Sequence, residues 1–318
     1  MALFGDAMPF PLQITTFLEV LMSHFFEGLV TELITPFLED GSVDHQTLAE
    51  IVDFQIKNGV RHFFVNGLGG ESHELTLEER QEVLRTVSSR CQNGEKTMAC
   101  VFVSTVAEGK KLMDLYAQEK FDAFCFTAPP LFPYTEEALY TFTSSLLKYT
   151  DKPCYIYNCV QMATLYSPDL LARLVKDHAN LRGYKNATRD IVHYMQCLMR
   201  IDPKTFDFLD GCDATIAPTM MMGGVGCVSF MGVPFPKETK AICDFALNGE
   251  HEKAMEAQFK ILELRNILKQ APFNAAYMTA MELSGGPVAK GTRMTPEMTE
   301  VPERIRKLLY ETYQRQQA

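Results

Sequence analysis

No cluster of lysines and arginines interrupts this 318-residue chain, and its 30 basic residues are outnumbered by 40 acidic ones for a formal charge of −10. The dense positive patch that phosphate recognition needs is missing, which excludes nucleic acid as a partner class. No apolar run reaches the ~18 uninterrupted residues of a membrane span. The nine cysteines are odd in number, scattered and free of any CxxC pair. Neither a zinc site nor a disulfide framework is expected, and a reducing cytoplasm fits. The seven histidines show no metal spacing. The glycine-rich loop from Asn66 to Ser72 is followed by no Gly-Lys-Ser/Thr, so it is not a phosphate-binding P-loop. Low-complexity sequence is also absent. What remains, with 47% hydrophobic and 22% charged residues, is the composition of a soluble globular protein acting on a small molecule or another protein.

Residues 1–27 read as an N-terminal extension. They lack a positively charged start, carry Asp6 and Glu19, and are expected to end in a short helix around Ile14 to Phe25. From Gly28 the chain alternates short β-branched or aromatic runs with helical patterns, the signature of βα units on a parallel sheet. Eight strands are expected: Leu29 to Thr35, His62 to Asn66, Met98 to Ser104, Ala123 to Thr127, Cys154 to Asn158, Leu181 to Lys185, Phe206 to Asp210 and Val225 to Phe230. Helical patterns fall between them, two with explicit starts. Thr76 with Glu79 forms a capping box, and Ser167 stands before Pro168 at a first helical position. An eight-fold alternation favours a closed (β/α)8 barrel, here over residues 28–234. Residues 235–318 would add the last barrel helix and a C-terminal helical appendage to the same unit.

In such a barrel the chemistry collects at the carboxyl ends of the strands. Lys185 stands there, where Leu181-Arg182-Gly183-Tyr184-Lys185 gives way to a helix. A buried amine losing its proton can attack a carbonyl and form a Schiff base; the competing reading is a solvated lysine at a strand end. Tyr155-Ile156-Tyr157-Asn158 closes the fifth strand, and Tyr157 is either a proton shuttle or a packed barrel tyrosine. Asn66-Gly67-Leu68-Gly69-Gly70-Glu71-Ser72 follows the second strand. Its backbone amides suit an anion such as a carboxylate, unless the glycines only serve a tight turn. Asp210 and Asp213 close the seventh strand, where Asp213 either holds substrate hydroxyls or caps the next helix. His73 is the one histidine placed near the mouth, and it is expected to be a solvated loop residue.

Taken in order, the glycine loop, Tyr157-Asn158 and Gly183-Tyr184-Lys185 resemble the N-acetylneuraminate lyase and dihydrodipicolinate synthase family. Leu33-Ile34-Thr35-Pro36-Phe37 and Ser284-Gly285-Gly286-Pro287 belong to the same likeness. The resemblance implies a TIM barrel and class I Schiff-base chemistry on pyruvate or another 2-oxo acid, with no cofactor and no metal. Lys185 would form the imine and Tyr157 would relay protons. Gly67, Leu68, Gly69 and Gly70 would take the carboxylate, with Asp213 and Val225 as further substrate contacts. A homo-oligomer, tetramer or dimer, is implied as well.

The departures narrow the reading. Leu68 and Gly69 stand where the family usually has hydroxyl residues, and Met162 replaces the arginine that synthases use for a second carboxylate. Leu131 and Phe132 replace an aromatic hydroxyl, for which Tyr134 is a candidate substitute, and Ala214 replaces an acid. The resemblance therefore favours an aldolase releasing pyruvate from a 2-oxo acid, sugar acids among the candidates. Two alternatives remain: condensation or dehydration through the same imine, and a weakened barrel that only binds a carboxylate metabolite.

Overall fold

The structure, a computed structural model, describes residues 24–288, 291–293, 295 and 298–317. Eight strands form a closed barrel in sequence order: β1 Gly28–Glu32, β2 His62–Val65, β3 Lys96–Val101, β4 Ala123–Thr127, β5 Cys154–Cys159, β6 Leu181–Ala187, β7 Asp207–Asp210 and β8 Gly226–Ser229. All neighbouring pairs are parallel, including the β1–β8 seam. At that seam Gly28 faces Gly226, and a Cβ on Gly226 would run into the Gly28 backbone. Only glycine lets the ring close there.

The helices crossing between strands are α1 His45–Lys57, α2 Leu77–Arg90, α3 Val106–Tyr116, α4 Glu136–Leu147, α5 Pro168–Asp177, α6 Ile191–Leu198 and α7 Ile216–Met221. Their starts follow from local chemistry. Thr76 and Glu79 close the expected capping box on α2, and Ser167 caps α5 with Pro168 in its first turn. After β8 come α8 Pro236–Leu247, α9 His251–Leu268, α10 Phe273–Leu283 and α11 Glu303–Gln317. The strand count and order expected from the alternation hold, while several ends shift by up to three residues. β1 stops at Glu32 rather than Thr35, for instance, and beyond it the Thr35 hydroxyl donates to the Gly70 carbonyl of the glycine loop at 2.6 Å. The helix expected over Ile14 to Phe25 lies outside the described residues except for His24 and Phe25, which are not helical. No helix among the described residues is long and apolar enough to cross a membrane. All nine cysteines are buried free thiols.

The amino-terminal end of the barrel is closed by one carboxylate. Asp207, 2% exposed, accepts from the backbone amides of Phe25 and Phe26 at 3.0 Å each, from His24 Nδ1 at 2.9 Å, and from the Tyr155 hydroxyl. This bond raises the His24 pKa above its usual 6.5, with burial opposing it. A raised imidazole pKa adds stability below 6.5, and that increment is lost as pH rises through the folded-state value. The Tm gap between the wild type and His24→Gln is therefore expected to be widest in mildly acidic buffer and to close in alkaline buffer. A gap that widens with pH would contradict the assignment.

Candidate active site

Lys185 sits on β6 in register with Tyr157 on β5, and both reach the carboxyl end of the barrel. Its side chain is fully buried. The ammonium lies over two aromatic faces, 4.0 Å from the Phe64 ring centroid and 3.7 Å from that of Tyr157. It also donates to Glu32 Oε2 at 2.6 Å, while Glu32 Oε1 accepts from the Gly69 amide at 2.9 Å. A buried ion pair, braced by the glycine loop, thus occupies the floor of the site. Gly211 leaves room for the lysine stem, since a Cβ there would lie 3.2 Å from Lys185 Cε.

Glu32 is the residue that sequence reasoning missed. The available signal was an acid among Leu29, Val30, Leu33 and Ile34 at the end of the first strand, where an uncompensated charge would be costly. The glycine loop is explained by the same side chain. A Cβ on Gly67 would collide with the Glu32 carboxylate and the Phe64 ring, and one on Gly69 would meet the Phe230 ring at 2.7 Å. The positive-φ residues of this loop are Asn66 (φ 59) and Glu71 (φ 54), not its glycines. Close approach rather than turn geometry demands glycine here.

Above this floor lies a cavity of about 800 Å³ whose lining includes Glu32, Leu68, Gly69, Tyr157 and Asp213. Such a volume is in the range of small-molecule sites and far exceeds a three-carbon acid. Lys185 lies behind that lining, in contact with Glu32 and the Tyr157 ring. Burial pushes the Tyr157 phenol well above its usual range, and the nearby Glu32 charge adds to this, so the group stays protonated. Burial likewise lifts the Asp213 carboxyl, against the bond from Ser229.

Gly67 and Gly70 pack behind the lining, against Phe64 and the Leu33 carbonyl respectively. His73 does reach the cavity. Asp213 caps no helix: its carboxylate accepts from the Ser229 hydroxyl and, at 3.4 Å, from the Met231 amide. The residue organising the start of α7 is Asp210, which accepts from the Cys212 amide at 2.9 Å and from the hydroxyls of Thr215 and Thr219 at 2.7 and 2.9 Å. That is why α7 begins at Ile216 rather than Asp213. Burial raises the Asp210 pKa to about 6.

Val225 must be corrected. It lies at the amino end of β8, bonded to Phe208 O and Gly28 N at 2.9 Å each, at the end of the barrel opposite the mouth. On that strand's far side Val228 and Phe230 line the cavity instead. Period-two alternation identifies a strand's faces but not which of its ends the ligand meets. Tyr134 does not replace a missing hydroxyl either, because it packs against Phe142 with ring centroids 6.2 Å apart and is absent from the cavity lining.

The chain matches the dihydrodipicolinate synthetase family over residues 25–315. A protein of Thermofilum pendens described as an uncharacterized DapA-like lyase is 30% identical over 302 residues, covering 91% of this chain and 98% of its own length. The 4-hydroxy-tetrahydrodipicolinate synthase of a Hydrogenobaculum species is 30% identical over 259 residues, or 81% and 88% of the two chains. Among solved structures, YagE, a prophage protein of the dihydrodipicolinic acid synthase family from E. coli K12 in complex with pyruvate, superposes with a TM-score of 0.85. It shares 22% identity, over 92% of this chain and 99% of its own. Dihydrodipicolinate synthase from Aquifex aeolicus gives 0.82 at 24% identity, over 92% and 98%, so these two likenesses speak to the fold. Because the match spans nearly the whole chain and the barrel carries its buried lysine on the sixth strand, the protein belongs to the dihydrodipicolinate synthetase family of lyases and aldolases.

Proposed function

We propose that the protein is a class I carbon–carbon lyase that cleaves a 2-oxo acid through an imine on Lys185, releasing pyruvate and an aldehyde. The observation that carries this reading is the Lys185–Glu32 contact at 2.6 Å. A lysine must shed its proton before it attacks a carbonyl, and a carboxylate in direct contact is placed to take it. Entry of an anionic substrate beside Glu32 brings two like charges together, which favours the protonated form of Glu32. Proton transfer then neutralises the pair and weakens the hold of Glu32 on the Gly69 amide. That amide becomes available to the substrate carboxylate as the amine is released.

The free amine adds to C2, and the hydroxyl so formed leaves as water with the proton that Glu32 had taken, giving the iminium and restoring the Glu32 carboxylate. The C3–C4 bond then breaks with its electron pair flowing into the iminium, while the C4 hydroxyl loses its proton to the Glu32 carboxylate, with the Tyr157 phenol as relay. Aldehyde departs. Glu32 returns that proton to C3, and one water then releases pyruvate and restores the Lys185 ammonium beside the Glu32 carboxylate. Run in reverse, the same electron flow is a condensation, as the names of the synthase relatives suggest. Met162, 8% exposed and lining the cavity, offers no charge for a second carboxylate at its position and favours the cleavage reading.

Incubation with pyruvate followed by borohydride is expected to leave a reduced adduct on the peptide carrying Lys185, found by mass spectrometry. Protein without that adduct at saturating pyruvate would overturn the mechanism. Product analysis with 2-oxo sugar acids, and with pyruvate plus aldehydes, separates cleavage from condensation.

A further inference from the structure

We infer that the rim of this site holds a second anionic seat, built from Arg189, Arg265 and Lys269, so that the substrate is a 2-oxo acid carrying a carboxylate or phosphate at its far end. The inference rests on the Lys185 reading and extends it to the other end of the ligand. All three cations line the same cavity as Glu32 and Tyr157, and they come from separate parts of the chain. Arg189 lies in the loop after β6, whereas Arg265 and Lys269 lie on and just past the last turns of α9. Tertiary structure alone gathers them.

Most arginines elsewhere are tied to carboxylates, as in Arg85–Glu119 at 2.9 Å, Arg90–Asp53 at 2.6 Å and Arg173–Glu137 at 2.6 Å, and the buried Arg80 bonds the Phe102 carbonyl at 2.7 Å instead. Among the described residues no ion pair joins Arg189, Arg265 or Lys269 to an acid, and Arg265 donates to the Cys212 thiol at 3.9 Å. Of the two acids in the lining, Glu32 is held by Lys185 and Gly69, and Asp213, held by Ser229 and Met231, attracts Arg265 and Lys269 through space without forming an ion pair with either. The three cations also feel one another, since Lys269 has a depressed pKa caused by burial first and then by Arg265 and Arg189. In a chain of net charge −10, mutually repelling cations left unpaired around a cavity are explained by an anion that joins them.

Backbone strain supplies an independent observation. Arg189 has φ 61, a left-handed conformation that costs an arginine free energy where glycine would adopt it freely. The strain is retained at the mouth of the cavity. Helix-end cations also complement the dipole of α9, but that accounts for Arg265 and Lys269 and not for Arg189. The large cavity agrees with the same conclusion: pyruvate would fill its floor and leave the cations without a partner.

The test is competitive borohydride trapping in the full chain, using 2-oxoglutarate and its longer homologues against their terminal methyl esters. For at least one length, the acid is expected to be trapped at a concentration ten-fold or more below its ester, because charge-assisted contacts form only with the acid. That ratio should fall toward one as salt is added, and in the double variant Arg265→Gln/Lys269→Gln. Inorganic phosphate that suppresses trapping of the acids at lower concentration than acetate would identify a phosphate tail; the opposite order would identify a carboxylate. Pyruvate trapping together with a ratio of one at every length overturns this inference alone, as does a preference that neither salt nor the double variant alters. Absence of every adduct overturns the Lys185 reading beneath it.

Discussion

Replacing Glu32 with leucine is expected to destabilise the protein by about 3–5 kcal/mol, the cost of leaving one member of a buried ion pair without its partner. Lys185 and Glu32 side chains are 1% and 7% exposed, so water cannot take over the lost contact, and the flanking Phe64 and Tyr157 rings compensate only in part. The orphaned amine relieves the penalty by shedding its proton, so in the variant the unfolded state binds more protons than the folded one. Stability of Glu32→Leu should then rise with pH more steeply than that of the wild type. Urea midpoints measured across neutral to alkaline pH decide the matter, and equal midpoints for the two proteins would show that the pair is not buried as described. Glu32→Gln is the companion variant. It preserves an acceptor for the Gly69 amide, and it should slow adduct formation by roughly 10²–10⁴-fold, the usual contribution of a positioned base.

Lys185→Met should remove the borohydride-trapped adduct entirely and reduce turnover to background, since no other amine lies in the barrel floor among the described residues. It should also destabilise the protein, for the mirror-image reason: the Glu32 carboxylate would remain in an apolar floor with only the Gly69 amide. The double variant Lys185→Met/Glu32→Leu resolves function from folding. Two apolar side chains of similar bulk replace the pair, and buried pairs replaced in this way are often neutral or stabilising. Urea unfolding of the double variant is expected within about 1–2 kcal/mol of the wild type, with strong positive coupling in the double-mutant cycle, while activity stays absent. Additive destabilisation would mean that the two residues do not act as a unit.

The architecture was legible because it depends on local chemistry repeated eight times. Short apolar runs alternate with capped amphipathic helices, and Thr76 with Glu79 or Ser167 with Pro168 mark helix starts by hydrogen bonds that involve only near neighbours. Lys185 and Tyr157 were legible for a related reason: each ends a strand, and in a barrel strand ends share one rim. Their opposition across β5 and β6 is then a matter of register. Asp213 was placed at the mouth correctly but given an uncertain task, because a carboxylate before a helix looks the same whether it caps that helix or turns toward Ser229. Val225 failed for want of direction along its strand.

Sequence by itself determined the barrel, the order of its strands and the position of a lysine at the carboxyl end of the sixth, since periodicity, capping and strand-end position are properties of contiguous residues. Only the tertiary structure decided what that lysine meets. Glu32 lies 153 residues away in the chain, and the cations at the rim come from the β6 loop and the end of α9, so no local pattern could announce them. Coulomb attraction and desolvation act between side chains through space, and those distances exist only once the barrel has closed.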